Sequence, residues 1–226
     1  MNRFISFLAW ASTLTFALLV LSDNRADVDL WGNVGFVRAL PWQSGFDWTN
    51  TYSFTEPDRQ WVNHEWLAQY LFHSVYDLAG SSGLLVLKVM LGLCLLGLLA
   101  RVARRDGLRG PTGYLSALLV LSTLGYGFST RPHLFTYLAV AIAIHLLHRS
   151  PAFDCRHVCV FAILGILWAN LHGAFFIGAV LLGISIVTEA IGLLHSRNAV
   201  GNFRRVGWLL TALVAFIAAS MLNPYG

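Results

Sequence analysis

The stretch LLVLKVMLGLCLLGLLA, residues 84–100, decides the fold, and it is followed at once by RVARR, residues 101–105. A helix that crosses a bilayer needs about 20 mostly apolar residues. A soluble domain would have to bury this stretch on every face, whereas lipid solvates it directly. The arginines that end it mark a water boundary. Working outward, six more runs of the same kind occur at 4–21, 114–128, 134–147, 151–170, 175–194 and 206–222. The runs at 114–128 and 134–147 are short and borrow interfacial residues such as Thr130 and His148. Pro132 and Pro151 suit a first helical turn, where a missing N–H costs nothing. The reading is an all-α membrane protein of about seven transmembrane helices, with residues 1–226 forming a single membrane domain.

Composition agrees with this. Hydrophobic residues make up 57% of the chain and charged residues 12%, about half the charged share of a soluble domain. The first run is longer than the apolar core of a signal peptide and no A-x-A site follows it, so it is expected to be retained. Cys94 lies inside an apolar run, and Cys155 and Cys159 follow an inner turn, so no disulfide framework is expected.

Seven crossings alternate the loops, and the arginines test that alternation. Arg3, Arg101, Arg104, Arg105, Arg109, Arg149, Arg156, Arg197, Arg204 and Arg205 fall on one side, against Arg25, Arg38, Arg59 and Arg131 on the other. By the positive-inside rule the first set is cytoplasmic. The chain is then a multi-pass protein of the cytoplasmic (inner) membrane, with its N-terminus inside and its C-terminus outside. Topology thus accounts for the basic balance of +4, and a nucleic-acid partner is not expected. Most carboxylates lie outside: Asp23, Asp27, Asp29, Asp47, Glu56, Asp58, Glu65 and Asp77. Carboxylates matter little for insertion, so this second asymmetry points to function.

Residues 23–82 are too long for a simple connection and form an extracytoplasmic cap. Trp31, Val34, Val37, Pro41 and Trp42 follow Asp29 at roughly helical spacing. Across residues 61–78, Val62, Trp66 and Tyr70 make one stripe, with Leu67, Leu71 and Val75 beside it. Both segments read as amphipathic helices, with residues 48–57 extended between them.

Asp27-Val28-Asp29 supplies paired carboxylates that can hold a hard divalent cation or act as a base. Equally, Asp27 suits a helix N-cap, with Asp29 complementing the dipole in the first turn. His64-Glu65-Trp66 opens the second amphipathic segment, and Asn63 suits its cap. The outer turns carry Arg131-Pro132-His133, Asn170-Leu171-His172-Gly173 and Asn223-Pro224-Tyr225-Gly226. Each such cluster can bind phosphate, metal or hydroxyls; each can also serve as an interfacial anchor or helix stop. Lys88 sits within a span, where it either contacts a lipid phosphate or snorkels outward. Glu189 is near enough to the inner surface to snorkel. Gly92 and Gly97, like Gly173, Gly178 and Gly183, recur every five residues and support close helix packing only loosely.

Taken in order, Asp27-Val28-Asp29-Leu30-Trp31, Trp61-Val62-Asn63-His64-Glu65-Trp66-Leu67, Arg131-Pro132-His133, Trp168-Ala169-Asn170-Leu171-His172-Gly173 and Asn223-Pro224-Tyr225-Gly226 resemble a group of prokaryotic membrane proteins with a glycosyltransferase-like (GT-C) architecture. The resemblance spans essentially the whole chain. It implies a module of about seven helices whose first outer loop carries the catalytic acid, and a polyprenyl-phosphate-linked sugar as donor, transferred on the outer face with inversion. A divalent metal, Mg or Mn, serves many such enzymes. Asp29 is then the candidate base, with Asp27 as metal or acceptor ligand and His64 and Glu65 as further metal candidates. Lys88, Arg131, His133, Asn170, His172, Trp31 and Asn223 are the candidates for substrate binding. The Trp31-Gly32-Asn33 step departs from the Trp-Trp-His expected there. Larger members continue past Asn-Pro-Tyr-Gly, so acceptor recognition is expected from a partner or additional subunit. The competing reading is a non-catalytic subunit of a larger membrane complex. A transporter would show paired interrupted spans, and none is visible.

Overall fold

A computed structural model describes residues 3–25, 27–39, 49, 54–56, 59–60, 62–108, 110–148, 153–195 and 199–225. Among them the chain is helical, and the β structure is an isolated bridge between Thr49 and Gln60. Eight helices follow in order: α1 Arg3–Leu21, α2 Val28–Ala39, α3 Trp66–Arg105, α4 Pro111–Gly127, α5 His133–Leu147, α6 Cys155–Leu171, α7 Phe176–His195 and α8 Ala199–Ser220. A short 3-10 turn, Gly173–Phe175, joins α6 to α7.

The helices at Phe4–Leu21, Trp66–Arg105, Gly173–Leu193 and Phe203–Ser220 are long and apolar enough to cross a membrane. Three shorter apolar helices, Pro111–Gly125, His133–Leu147 and Cys155–Leu171, accompany them. This is the build of a membrane protein. The outward faces agree: Val180, Ile184, Val187 and Ile191 form one open apolar stripe along α7. Such a stripe is tolerable only where lipid or another helix covers it.

Helix α3 runs from Trp66 to Arg105 across a kink, so the two helical elements expected between residues 61 and 100 are both present, one on each side of it. Its single break is Gly80, at φ 60 and ψ −154, a conformation that costs glycine little because it has no Cβ. The helix also begins at Trp66, with Asn63, His64 and Glu65 before it. Glu65 occupies the N-cap but makes no capping hydrogen bond with its side chain. Asn63 Oδ1 instead accepts from the Glu65 N–H at 3.2 Å. The face it buries is Ala68, Gln69 and Phe72, while Val62 and Tyr70 of the expected stripe are exposed. In α2, Val34 and Val37 are buried as expected, but Leu30 takes the place assigned to Trp31. Pro41, Trp42 and most of residues 48–57 lie outside the described residues. Pro151 also lies outside them, and α6 starts later, at Cys155. There the Asp154 side chain accepts from the Arg156 N–H at 3.1 Å in a capping box.

Three apolar cores hold these elements. Phe153, Phe161, Trp168, Leu182, Leu209 and Phe216 join α5 to α8. Leu30, Val34, Ala68, Phe72, Leu84 and Phe135 dock α2 and the first half of α3 onto α5. Leu21, Leu95, Phe128 and Leu134 tie α1 and the second half of α3 to α5. The α6–α8 pair is the most intimate. An added Cβ on Gly165 would lie 2.6 Å from the Phe216 carbonyl oxygen, so only a glycine admits this approach.

Candidate functional site

Asp27 ends the segment after α1 and caps α2. Its Oδ1 accepts from the Asp29 N–H at 3.0 Å, which satisfies one of the free donors of the first turn. The same carboxylate meets Arg131 from the turn before α5. Arg131 Nη2 lies 2.5 Å from Asp27 Oδ1 and 2.9 Å from Asp29 Oδ2. One guanidinium nitrogen therefore bridges both aspartates. Arg131 holds the Asp27 carboxyl below its ordinary range by direct hydrogen bonding, and Asp27 in turn raises Arg131.

A cavity of about 630 Å³ opens beside this cluster, within the size range of small-molecule sites. It is lined by Asp29, Trp31, Glu65, Arg131, His133 and His172, and by Gly32 and Gly35 of α2. The Trp31 indole is half exposed and meets Tyr76 edge-on, with ring centroids 5.6 Å apart. His133 donates to the Gly127 carbonyl at 2.9 Å if Nε2 carries the proton.

Glu65 lies at the mouth of α3, with His172 Nε2 at 3.6 Å and His64 Nε2 at 3.9 Å from its Oε1. Burial raises the Glu65 carboxyl above its ordinary value, and the neighbouring His64 charge opposes that shift. Burial also lowers His172, helped by the charges of His133 and His64. Behind His172, Nδ1 lies 2.9 Å from Thr136 Oγ1, which accepts from the Trp168 indole N–H at 2.8 Å.

Other residues singled out in the sequence are spent on architecture. Asn170 is buried; its Oδ1 accepts from the Trp66 indole at 2.8 Å and its amide donates to the Leu222 carbonyl at 3.1 Å. Asn223 Oδ1 accepts from the Tyr225 N–H at 2.9 Å. The Tyr225 hydroxyl accepts from the Asn63 N–H at 2.9 Å. Asn63 also donates to Gln69 at 2.6 Å, and Gln69 donates to Asn33 at 3.2 Å. Replacing Tyr225 with phenylalanine strands the Asn63 N–H, and an unsatisfied buried donor costs about 1–3 kcal/mol. A correspondingly lower thermal transition in detergent is the expected result.

Lys88 is 4% exposed and donates to the Asp23 carbonyl oxygen at 2.5 Å. It neither snorkels nor lines the cavity. Glu189, expected to snorkel, pairs with Arg205 at 2.6 Å. Gly92, Gly173 and Gly178 do sit at close contacts, with Leu21, His64 and Phe216 respectively, while Gly97 and Gly183 face open space.

The expected Mg or Mn at Asp27 and Asp29 would have to displace Arg131. Such an ion wants about six oxygen ligands in octahedral array, yet Asp27 and Asp29 are both directed at a guanidinium. Among the described residues no three His, Cys, Asp or Glu side chains converge on one point. Gln69 and Thr136, which sequence reasoning passed over, carry the buried polar contacts behind the cavity. Their signal was a polar side chain on a buried helix face.

Fold and cavity together define a helical membrane protein with a polar, charge-lined site gathered at one end of its bundle. The chain matches no protein-family model, no curated protein and no solved structure.

Proposed function

We propose that the protein crosses the membrane seven times and transfers a sugar from a polyprenyl-phosphate-linked donor to an acceptor hydroxyl at the non-cytoplasmic face. The supporting observation is the cavity itself. It sets a guanidinium, two carboxylates, two imidazoles and an exposed indole around a space large enough for a sugar ring. Arg131 suits the donor phosphate, because a guanidinium matches phosphate oxygens in charge and geometry. Trp31 offers a flat apolar face of the kind on which sugar rings stack. Asp29 and Glu65 are the carboxylates of the cavity wall, and one of them takes the acceptor's proton. The cavity lies at the end of the bundle whose loops are poor in arginine, which is the outer side under the positive-inside rule.

Gly32 and Gly35 provide the test. An added Cβ at either position meets nothing within 4 Å, and both glycines line the cavity, so Gly35→Leu adds apolar bulk at its wall. In reconstituted vesicles, transfer from polyprenyl-phosphate glucose, mannose or galactose should fall to background. Thermal stability should hold or gain up to about 1 kcal/mol, because glycine is a poor helix former. A wild-type protein that turns over none of these donors sinks the reading. The pairing of Arg131 with both Asp27 and Asp29 favours one alternative, a non-catalytic subunit. That reading predicts stoichiometric co-purification with a larger membrane complex.

A further inference from the structure

The three carboxylates at this end of the bundle are not equivalent. Asp27 and Asp29 share Arg131 Nη2 at 2.5 and 2.9 Å. Asp27, held this way, is a weak base, since taking a proton means giving up a charge-assisted hydrogen bond to a group that stays charged, and Asp29 is directed at the same guanidinium. Glu65 stands apart. It sits at the N-cap of α3, yet its side chain makes no capping hydrogen bond. Its ion-pair neighbours are imidazoles, His172 at 3.6 Å and His64 at 3.9 Å. Asp29 and Arg131 act on it at longer range with opposite signs.

His172 turns Nδ1 toward Thr136 and Nε2 toward Glu65. An indole N–H can only donate, so Trp168 gives its proton to Thr136 Oγ1 at 2.8 Å. The Thr136 hydroxyl keeps one proton, and His172 Nδ1 lies 2.9 Å away to accept it. A neutral His172 with Nδ1 as acceptor carries its own proton on Nε2. That N–H points toward Glu65 Oε1 across 3.6 Å, too far for a hydrogen bond. A hydroxyl placed beside the pair, on the cavity side, can reach both, since it accepts from an N–H and donates to a carboxylate at the same time. Glu65 and His172 both line the cavity, where an acceptor hydroxyl would enter.

We infer that Glu65, rather than Asp29, takes the proton of the acceptor hydroxyl, and that His172, fixed by Thr136 and Trp168, positions that hydroxyl. This rests on the transfer reaction proposed above. In the step, the acceptor O–H bond breaks and its proton passes to the Glu65 carboxylate. The freed oxygen pair forms the bond to the anomeric carbon. The bond from that carbon to the phosphate oxygen breaks, and its electron pair leaves with the lipid phosphate. Protonated Glu65 then returns its proton to water. Burial, which raises this carboxyl, moves it toward the range where a general base works best near neutral pH.

Three variants test the assignment in reconstituted protein assayed with polyprenyl-phosphate sugars. Glu65→Gln, matched in shape, should lower kcat by about 10²–10⁴-fold with a much smaller change in KM. Asp29→Asn should lose less. Thr136→Val should lower kcat and displace the acid limb of the pH–rate profile, and Thr136→Ser should restore both, as expected of a positioning residue. In the wild type that limb should lie above the ordinary carboxylate range, so the result stands even if Glu65→Gln fails to fold. Wild-type rates in a folded Glu65→Gln protein, or an acid limb in the ordinary aspartate range, overturn the role of Glu65 and leave the transfer reaction intact. Absence of turnover by the wild type removes both.

Discussion

Under the transfer reaction proposed above, replacing Arg131 with methionine should reduce the rate by about 10²–10³-fold, the usual cost of losing one donor that stabilises developing charge. The same change should weaken the fold around α2. It leaves Asp27 and Asp29 facing each other without the cation that now holds 2.5 and 2.9 Å contacts to them. A fully buried pair loses about 3–5 kcal/mol when one partner goes, and an exposed pair about 0.2–1 kcal/mol. The Asp27 side chain is mostly shielded but the Asp29 side chain is more than half exposed, which puts the expected cost near 1–2 kcal/mol. Arg131→Lys keeps the charge but loses the planar fork, so it should recover part of the stability and little of the rate. The pH dependence has a definite sign. Asp27 is held below its unfolded value by Arg131, so its contribution is present above that unfolded value and is lost as pH falls through the lower folded one. Thermal melts in detergent should therefore fall on acidification in the wild type, and this part of the slope should vanish in Arg131→Met.

The largest purely structural effect is expected at Gly165. A Cβ there would lie 2.6 Å from the Phe216 carbonyl oxygen and 3.3 Å from its ring. A side chain can rotate away from such a contact, but a helix backbone cannot. Gly165→Val should push α8 off α6 at a cost at or above the ~1–3 kcal/mol typical of overpacking. Because Asn170 of α6 donates to the Leu222 carbonyl just past α8, the displacement should reach the site as well. Folded yield and melting temperature read the first effect, and transfer rate reads the second. Gly97, with nothing within 4 Å, supplies the control. Gly97→Ala should be neutral or stabilising by up to about 1 kcal/mol.

The helices were legible because lipid-facing length and apolar content are properties of one segment at a time. The boundaries that slipped were those decided by tertiary contacts. Ala79-Gly80-Ser81-Ser82-Gly83 has the composition of a loop, and the chain does break there, at the positive φ of Gly80, with helix resuming directly on either side. The clusters of the site were visible one by one, and their gathering at one place was suggested by loop alternation. What no local pattern carries is the pairing. Arg131 choosing both aspartates, Lys88 ending on a backbone carbonyl and Thr136 standing behind His172 all depend on residues distant in sequence. The aspartates also illustrate how two readings of one motif can coexist. Asp27 is the helix cap that spacing allowed, and it is part of the charged cluster as well.

The hydrogen bonds that close the site set an order of manufacture. The Asn63 N–H waits for the hydroxyl of Tyr225, 162 residues later, and the Trp66 indole for Asn170, 104 residues later. At a synthesis rate of about 5–20 residues per second, the cap leaves the ribosome several seconds before either partner exists. During that interval its polar groups are met by water or by whatever chaperone attends the insertion machinery. These two bonds thus form last, once α6 and the residues after α8 have been made, and displacing either helix removes one of them.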